Sequence, residues 1–218
     1  TMKYDLLGIF PTAIGVFSEV PITKKDTKTL LNINDYIDNI GNLTSDEDCV
    51  LEKTPSLKRT IEKCIKQFVS QTYHPINDIE FPITQSWLNK TKKGMFHHVH
   101  THSNSYISGV LYLKTIPNDK INFDTTDLFS VIFDIEEYNA FNSQRRWVNL
   151  NNYDLLLFPS SLAHSVSTNE TEEDRISLSF NTWVEGTVGV VRKKTGVISK
   201  GGFISRGVHT PQEVTDER

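Results

Sequence analysis

From residue 79 to residue 184 the chain is a succession of short runs rich in β-branched and aromatic residues, separated by clusters of Asn, Asp, Gly and Pro. IEFPITQSWL (79–88), ISGVLYLK (107–114), KINFD (120–124), LFSVIFDI (128–135), RRWVNL (145–150), DLLLFP (154–159) and RISLSFNTWV (175–184) each read as a strand. Many short strands without intervening helical periods predict an antiparallel sandwich or barrel rather than βαβ units. Ahead of them, Leu57, Ile61, Cys64, Ile65 and Phe68 recur at spacings of three and four. That stripe predicts a helix over residues 56–72 whose apolar face covers a sheet, with Thr54 as a capping residue and Pro55 at its first position. The opening stretch, residues 4–21, reads as an edge strand bent at Pro11 and Gly15. Residues 23–53 are polar, with one weak helix expected between Leu30 and Ile40.

Two of the predicted strands carry more than packing. In Arg175 to Asn181 the alternation is strict, with Ile176, Leu178 and Phe180 on one face and Arg175, Ser177, Ser179 and Asn181 on the other. A solvent-facing polar side is the ordinary reading of such a strand. The preceding segment argues for a different one: a nearly continuous apolar strand ends in Pro159, and the lone His164 opens another strand after a turn. An acidic loop, residues 169–174, is expected to fold that strand back on residues 175–180 as a hairpin, bringing His164 and Arg175 to one cavity.

The densest chemistry lies in GMFHHVHTHSNSYISGVLYLK, residues 94–114, which holds four of the seven histidines: His97, His98, His100 and His102. Two histidines one residue apart on a strand point the same way and can share one metal ion. His98 with His100 and His100 with His102 satisfy that spacing equally. His97 is expected to point away from His98 and to have a surface or supporting role. An iron(II) ion that activates dioxygen takes three protein ligands on one face and keeps positions open. His164 supplies the third from a distant strand. A bidentate 2-oxo acid would then need a buried cation for its far carboxylate, a task suited to the planar fork of Arg175, with the Ser177 hydroxyl on the same face. Tyr112 and Asn104 are further candidates for touching the co-substrate or orienting a ligand.

Composition narrows the surroundings. The 218 residues carry a formal net charge of -4 with both signs interspersed, and no face or tail is strongly basic, so nucleic acid is not an expected partner. No apolar run approaches membrane-spanning length and no leader pattern is visible, so the chain reads as cytoplasmic and free of the membrane. Two cysteines, Cys49 and Cys64, read as free thiols. With Thr1 set aside, residues 2–218 read as one domain, with a β core at about 79–184, N-terminal support over 2–78 and a C-terminal extension over 185–218. In that extension one further strand is expected at residues 187–192. The remainder reads as a flexible tail or as an arm contacting a second subunit in a homodimer.

The pieces HTHSNSYISGVLYL, LLLFPSSLAHSV and RISLSFN resemble the bacterial and phage-encoded 2-oxoglutarate/Fe(II) oxygenases, a branch related to the prolyl-hydroxylase-like enzymes, over residues 87–183. The resemblance implies a mainly β fold, a double-stranded β-helix of jelly-roll or cupin-like form, flanked by one or two N-terminal helices. It implies His100, His102 and His164 as ligands of Fe(II), and Arg175 with Ser177 as the site for the distal carboxylate of 2-oxoglutarate. The implied reaction is oxidative decarboxylation of 2-oxoglutarate coupled to hydroxylation of a small-molecule or peptidyl substrate. His102 stands where the wider superfamily has an aspartate, which leaves more positive charge on the metal. Two other functions fit part of the pattern. A cupin-type metal protein would share the barrel and the paired histidines, but it has no need of Arg175 and Ser177, and the glutamate it expects falls near Tyr106. A non-catalytic, metal-stabilised structural β-sandwich is the third.

Overall fold

The computed structural model describes residues 3–125, 134–189 and 197–199. In chain order its elements are β1 (Gly15–Phe17), α1 (Lys24–Leu31), β2 (Tyr36–Asp38), β3 (Leu43–Ser45), a 3-10 turn (Val50–Lys53), α2 (Pro55–Tyr73), β4 (Ile79–Glu80), β5 (Ile83–Thr91), β6 (His97–His100) and β7 (Ile107–Lys114). There follow β8 (Lys120–Asp124), β9 (Arg145–Asn149), β10 (Leu155–Pro159), β11 (Ala163–Val166), β12 (Arg175–Thr182), β13 (Glu185–Val188) and β14 (Val197–Ser199). The large sheet has the order β1-β10-β7-β12-β5-β3-β2, the smaller one β6-β11-β8-β9, and a short third sheet β14-β13-β4. The strand pairs within them are antiparallel.

Period-two alternation in the large sheet separates two cores. Leu111 and Leu113 of β7, Leu155 and Leu157 of β10, and Leu178 and Phe180 of β12 pack with Leu57, Ile61, Ile65, Phe68 and Val69 of α2. The neighbouring positions Val110, Tyr112, Leu156 and Phe158 pack instead with Ile121 and Phe123 of β8, closing the space between the large and small sheets. The helix therefore covers the outer face of the large sheet, as its apolar stripe predicts. Gly109 makes this fit possible, because a Cβ there would sit 2.1 Å from Cζ of the Phe180 ring. The polar positions of β12, from Arg175 to Asn181, lie on the inner face and are buried.

Several local expectations need correction. Thr54 occupies the capping position of α2, but its side chain makes no cap bond. Its hydroxyl turns back to the Leu51 carbonyl at 3.5 Å, because the 3-10 turn runs directly into the helix, and Pro55 sets the helix start. The weak helix expected between Leu30 and Ile40 lies earlier, as α1, where Thr23 accepts from the Asp26 amide at 3.0 Å, and β2 occupies part of the expected span. The expected hairpin between β11 and β12 does not form: β11 pairs with β6 and β8, whereas β12 pairs with β5 and β7. Asn169, wholly buried, accounts for the difference. It donates to the Thr91 and Glu173 carbonyls while its own backbone bonds Gly94 and Met95, which makes the acidic loop a crossover between sheets. The predicted strand LFSVIFDI falls largely outside the described residues. The strand expected at 187–192 is β13, which starts and ends earlier, and the rest of the extension, β14 apart, also lies outside them. Cys49 and Cys64 are free. Among the described residues no helix is long and apolar enough to cross a membrane.

Candidate metal centre and its pocket

A cavity of about 270 Å³ lies between the large and small sheets. The small sheet contributes His97, His98, His100, Ile121 and His164, with His102 just beyond β6, and the large sheet contributes Trp87, Asn89, Tyr112, Arg175, Ser177, Ser179 and Asn181. His164 and Arg175 do reach one cavity, but from opposite sheets rather than adjacent strands.

At one end, His100, His102 and His164 each offer a ring nitrogen, all within 4.8 Å of one another. His164 lies opposite His100 in the ladder, so one strand pair brings residues 64 positions apart into contact. The His100 Nδ1–H donates to the His98 carbonyl at 2.8 Å, and the His164 Nδ1–H donates to the Leu162 carbonyl at 2.9 Å. A carbonyl only accepts, so both rings carry their proton on Nδ1 and leave Nε2 bare. The His164 and His102 Nε2 atoms are 3.3 Å apart. Two imidazoles about 2.0–2.1 Å from one divalent ion, at right-angled to tetrahedral angles, would hold their nitrogens about 2.8–3.4 Å apart. Burial, with the neighbouring His100 second, lowers the His164 pKa to about 4, and burial lowers that of His100. These rings are therefore neutral at ordinary pH, the state a metal requires.

The histidine run is less regular than an ideal strand. His100 pairs with His164 but His97 pairs with Val166, so three steps on β6 match two on β11. The bulge overturns the expectation that His97 points away from His98. His97 stacks on His100 with ring centroids 4.2 Å apart and lines the cavity, and its pKa is driven down to about 2, chiefly by burial. His97, His98 and His100 thus form a second group of nitrogens within 4.8 Å of one another. His100 belongs to both groups.

At the other end, Arg175 and Asp119 form an ion pair whose side chains are only 3% and 2% exposed. The Arg175 Nε–H is shared between both Asp119 oxygens, at 3.0 and 2.9 Å. The guanidinium lies 5.0 Å from the centroid of the Tyr112 ring. Burial raises the Tyr112 pKa against the opposing pull of the arginine charge, so the phenol keeps its proton. Neither Arg175 Nη2 nor the Tyr112 hydroxyl completes a hydrogen bond within the protein, although both are buried. Ser177 stands beside Tyr112 on one side and Asn89 on the other in the strand ladders. Two orphaned donors on one buried wall match the needs of a carboxylate.

Asn104 does not join this group. It is exposed with φ 55 in the turn before β7 and is not part of the cavity wall. Tyr106, where a cupin glutamate would fall, is 46% exposed. Arg145, Arg146 and Trp147 lie on exposed β9, outside the cavity. Sequence reasoning missed Asp119, which sits in what reads as turn chemistry, Pro117-Asn118-Asp119, and Asn89, whose amide donates to Ser179 at 2.9 Å. The alternation of residues 83–91 was the available signal for Asn89.

Two facing antiparallel sheets around a group of half-buried and buried histidines define the class: a double-stranded β-helix with a candidate metal-binding set of ring nitrogens. Residues 85–181 match the family model described as "Putative 2OG-Fe(II) oxygenase", so this region of the chain is similar to the 2-oxoglutarate/Fe(II)-dependent oxygenases. The matched family is Fe(II)- and 2-oxoglutarate-dependent. Among solved structures, HygX from Streptomyces hygroscopicus, with nickel, 2-oxoglutarate and hygromycin B bound, is similar at a TM-score of 0.55 and 13% identity, over 78% of this chain and 82% of that one. The non-heme alpha-ketoglutarate-dependent epimerase SnoN from nogalamycin biosynthesis is similar at a TM-score of 0.56 and 12% identity, over 89% and 91%. A prolyl hydroxylase from Trichoplax adhaerens, in complex with a hypoxia inducible factor peptide, is similar at a TM-score of 0.50 and 10% identity, over 78% and 83%. At these identities the likeness carries the fold. No curated protein sequence matches.

Proposed function

We propose that residues 2–218 fold as one oxygenase domain in which His100, His102 and His164 hold Fe(II), while Arg175, Tyr112 and Ser177 bind the distal carboxylate of 2-oxoglutarate. The observation that carries this reading is the pairing of two features in one cavity. The ring nitrogens of His100, His102 and His164 converge at one end, and at the other the orphaned Arg175 Nη2 and Tyr112 hydroxyl await an acceptor. Either feature alone would also suit a purely structural role. Together they fit a co-substrate that is a chelating 2-oxo acid at one end and a carboxylate at the other. The second histidine group is the weaker metal set, because the His98 Nδ1 contact to the Ile40 carbonyl, at 3.3 Å, is longer than those fixing His100 and His164.

Bound together, Fe(II) and 2-oxoglutarate supply dioxygen activation: the co-substrate is converted to succinate and carbon dioxide, and one oxygen atom enters a substrate C–H bond. The chain's own residues do the positioning. The His98 and Leu162 carbonyls hold two imidazoles by their Nδ1–H groups, fixing tautomer and ring direction. Arg175 and Tyr112 anchor the far end of the co-substrate and so fix where its oxo-acid end falls. Ile121 and Val110 in the cavity wall, with the Phe123–Phe158 pair packed behind His164, limit water at the reacting end. The substrate, small-molecule or peptidyl, would enter beside Trp87, Asn39 and Asn181, the part of the wall left free. The reaction is expected in the cytoplasm, without nucleic acid or membrane, in a protein for which a monomer and a homodimer both remain open.

The test is turnover of the co-substrate. Fe(II)-loaded protein in aerobic buffer should form succinate from 2-oxoglutarate even without a substrate, slowly, and the His164→Ala variant should not. Succinate formation unchanged in that variant would refute the ligand assignment.

A further inference from the structure

The buried pair Arg175 and Asp119 is arranged for more than carboxylate binding alone requires. An ion pair this deep costs more in desolvation than an apolar pair of similar volume would. Nor is it arranged for the strongest pairing, which matches two guanidinium nitrogens to two oxygens. Here both Asp119 oxygens converge on Nε alone, at 3.0 and 2.9 Å. Nη2 is left buried and without a partner, beside the equally unpartnered Tyr112 hydroxyl. Arg175 opens β12 on the large sheet, whereas Asp119 ends the turn before β8 on the small one, so the pair also ties the two sheets together. Asp119 is itself fixed: its amide bonds the Ile116 carbonyl at 3.1 Å and its carbonyl accepts from Leu150 at 3.0 Å.

We propose that Asp119 is the positioning residue of the co-substrate pocket: by taking Nε from the small sheet it sets the rotation of the Arg175 guanidinium, so that Nη2 and the Tyr112 hydroxyl converge on one carboxylate. This rests on the reading of Arg175 and Tyr112 as the carboxylate site. Asp119 neutralises the arginine charge, so the pair has little long-range pull on an anion. Recognition of the distal carboxylate then depends on two aimed donors, and the aim comes from Asp119. The Tyr112 ring beneath the guanidinium restricts the remaining tilt.

Calorimetry on the Ni(II)-loaded protein tests this with two ligands, 2-oxoglutarate and 2-oxobutanoate, which keeps the oxo-acid end and lacks the distal carboxylate. The wild type should prefer 2-oxoglutarate by about tenfold or more, the effect of hydrogen bonds to a charged group. Asp119→Ala should lose that preference, while affinities for Ni(II) and 2-oxobutanoate stay within about threefold. Asp119→Asn, which retains an acceptor for Nε, should restore most of it. If Asp119→Ala is not recovered folded, Asp119→Glu carries the test, because it keeps the charge but moves it by one methylene and should still reduce the preference. An unchanged preference in Asp119→Ala or Asp119→Glu would overturn the role of Asp119, and so would an equal loss for both ligands and the metal. Absence of any preference in the wild type would overturn the co-substrate reading itself, and this inference with it.

Discussion

The two ends of the cavity solve the problem of buried polarity in opposite ways. At the histidine end, burial keeps the groups neutral: the His164 pKa falls to about 4, and backbone carbonyls occupy the Nδ1 positions. At the arginine end, the charge stays and a counter-charge is brought from the facing sheet. A neutral donor set can accept a cation without first losing a proton. A neutralised guanidinium offers direction rather than attraction. The contrast shows why the first end depends on pH and the second on geometry.

The largest effect that separates the ends should come from His102→Ala. Loss of partners that merely orient metal ligands costs about 10–100-fold in affinity, so removal of a ligand should weaken Ni(II) or Fe(II) binding by at least about 100-fold. Retained metal affinity, measured by competition with a chelator, would move the centre to the second histidine group.

Acid should act next, and through the histidine end. His164 has its folded pKa lowered to about 4 against an ordinary 6.5. The unfolded chain therefore takes up this proton first as pH falls, so the stability tied to the neutral ring is complete above about 6.5 and is lost as pH drops towards 4. Denaturant unfolding of the metal-free protein should show a decline of a few kcal/mol across that window, and His164→Asn should make it shallower, with the shares of His97 and His100 remaining. A wild-type profile that is level there would contradict the neutral, buried state of the ring.

The smallest effect is expected for His98→Ala, with metal affinity within about threefold of wild type. Parity between this variant and His102→Ala would erase the distinction between the two histidine groups.

What could be read without coordinates follows the same division. The histidine spacing, the lone His164 and the strict alternation of β12 are local patterns, and the strands ISGVLYLK and KINFD have the bounds read from their sequence. The partners of those residues are not local. Asp119 meets Arg175 across 56 positions from a turn whose residues read as turn chemistry alone. The bulge that swings His97 into the cavity depends on the register with β11, which no property of His97 itself announces. The hairpin expectation failed on one buried side chain, Asn169, because an acidic loop reads as a reversal whether it turns back or crosses over.

Anaerobic addition of 2-oxoglutarate to the Fe(II)-loaded protein tests the central claim, one cavity with a metal end and a carboxylate end, most directly. The account predicts a weak visible charge-transfer band that requires both components and that is lost at the same 2-oxoglutarate concentration in Arg175→Ala, with metal still bound. No band in the wild type, together with tight binding of Zn(II) or Ni(II), would contradict it.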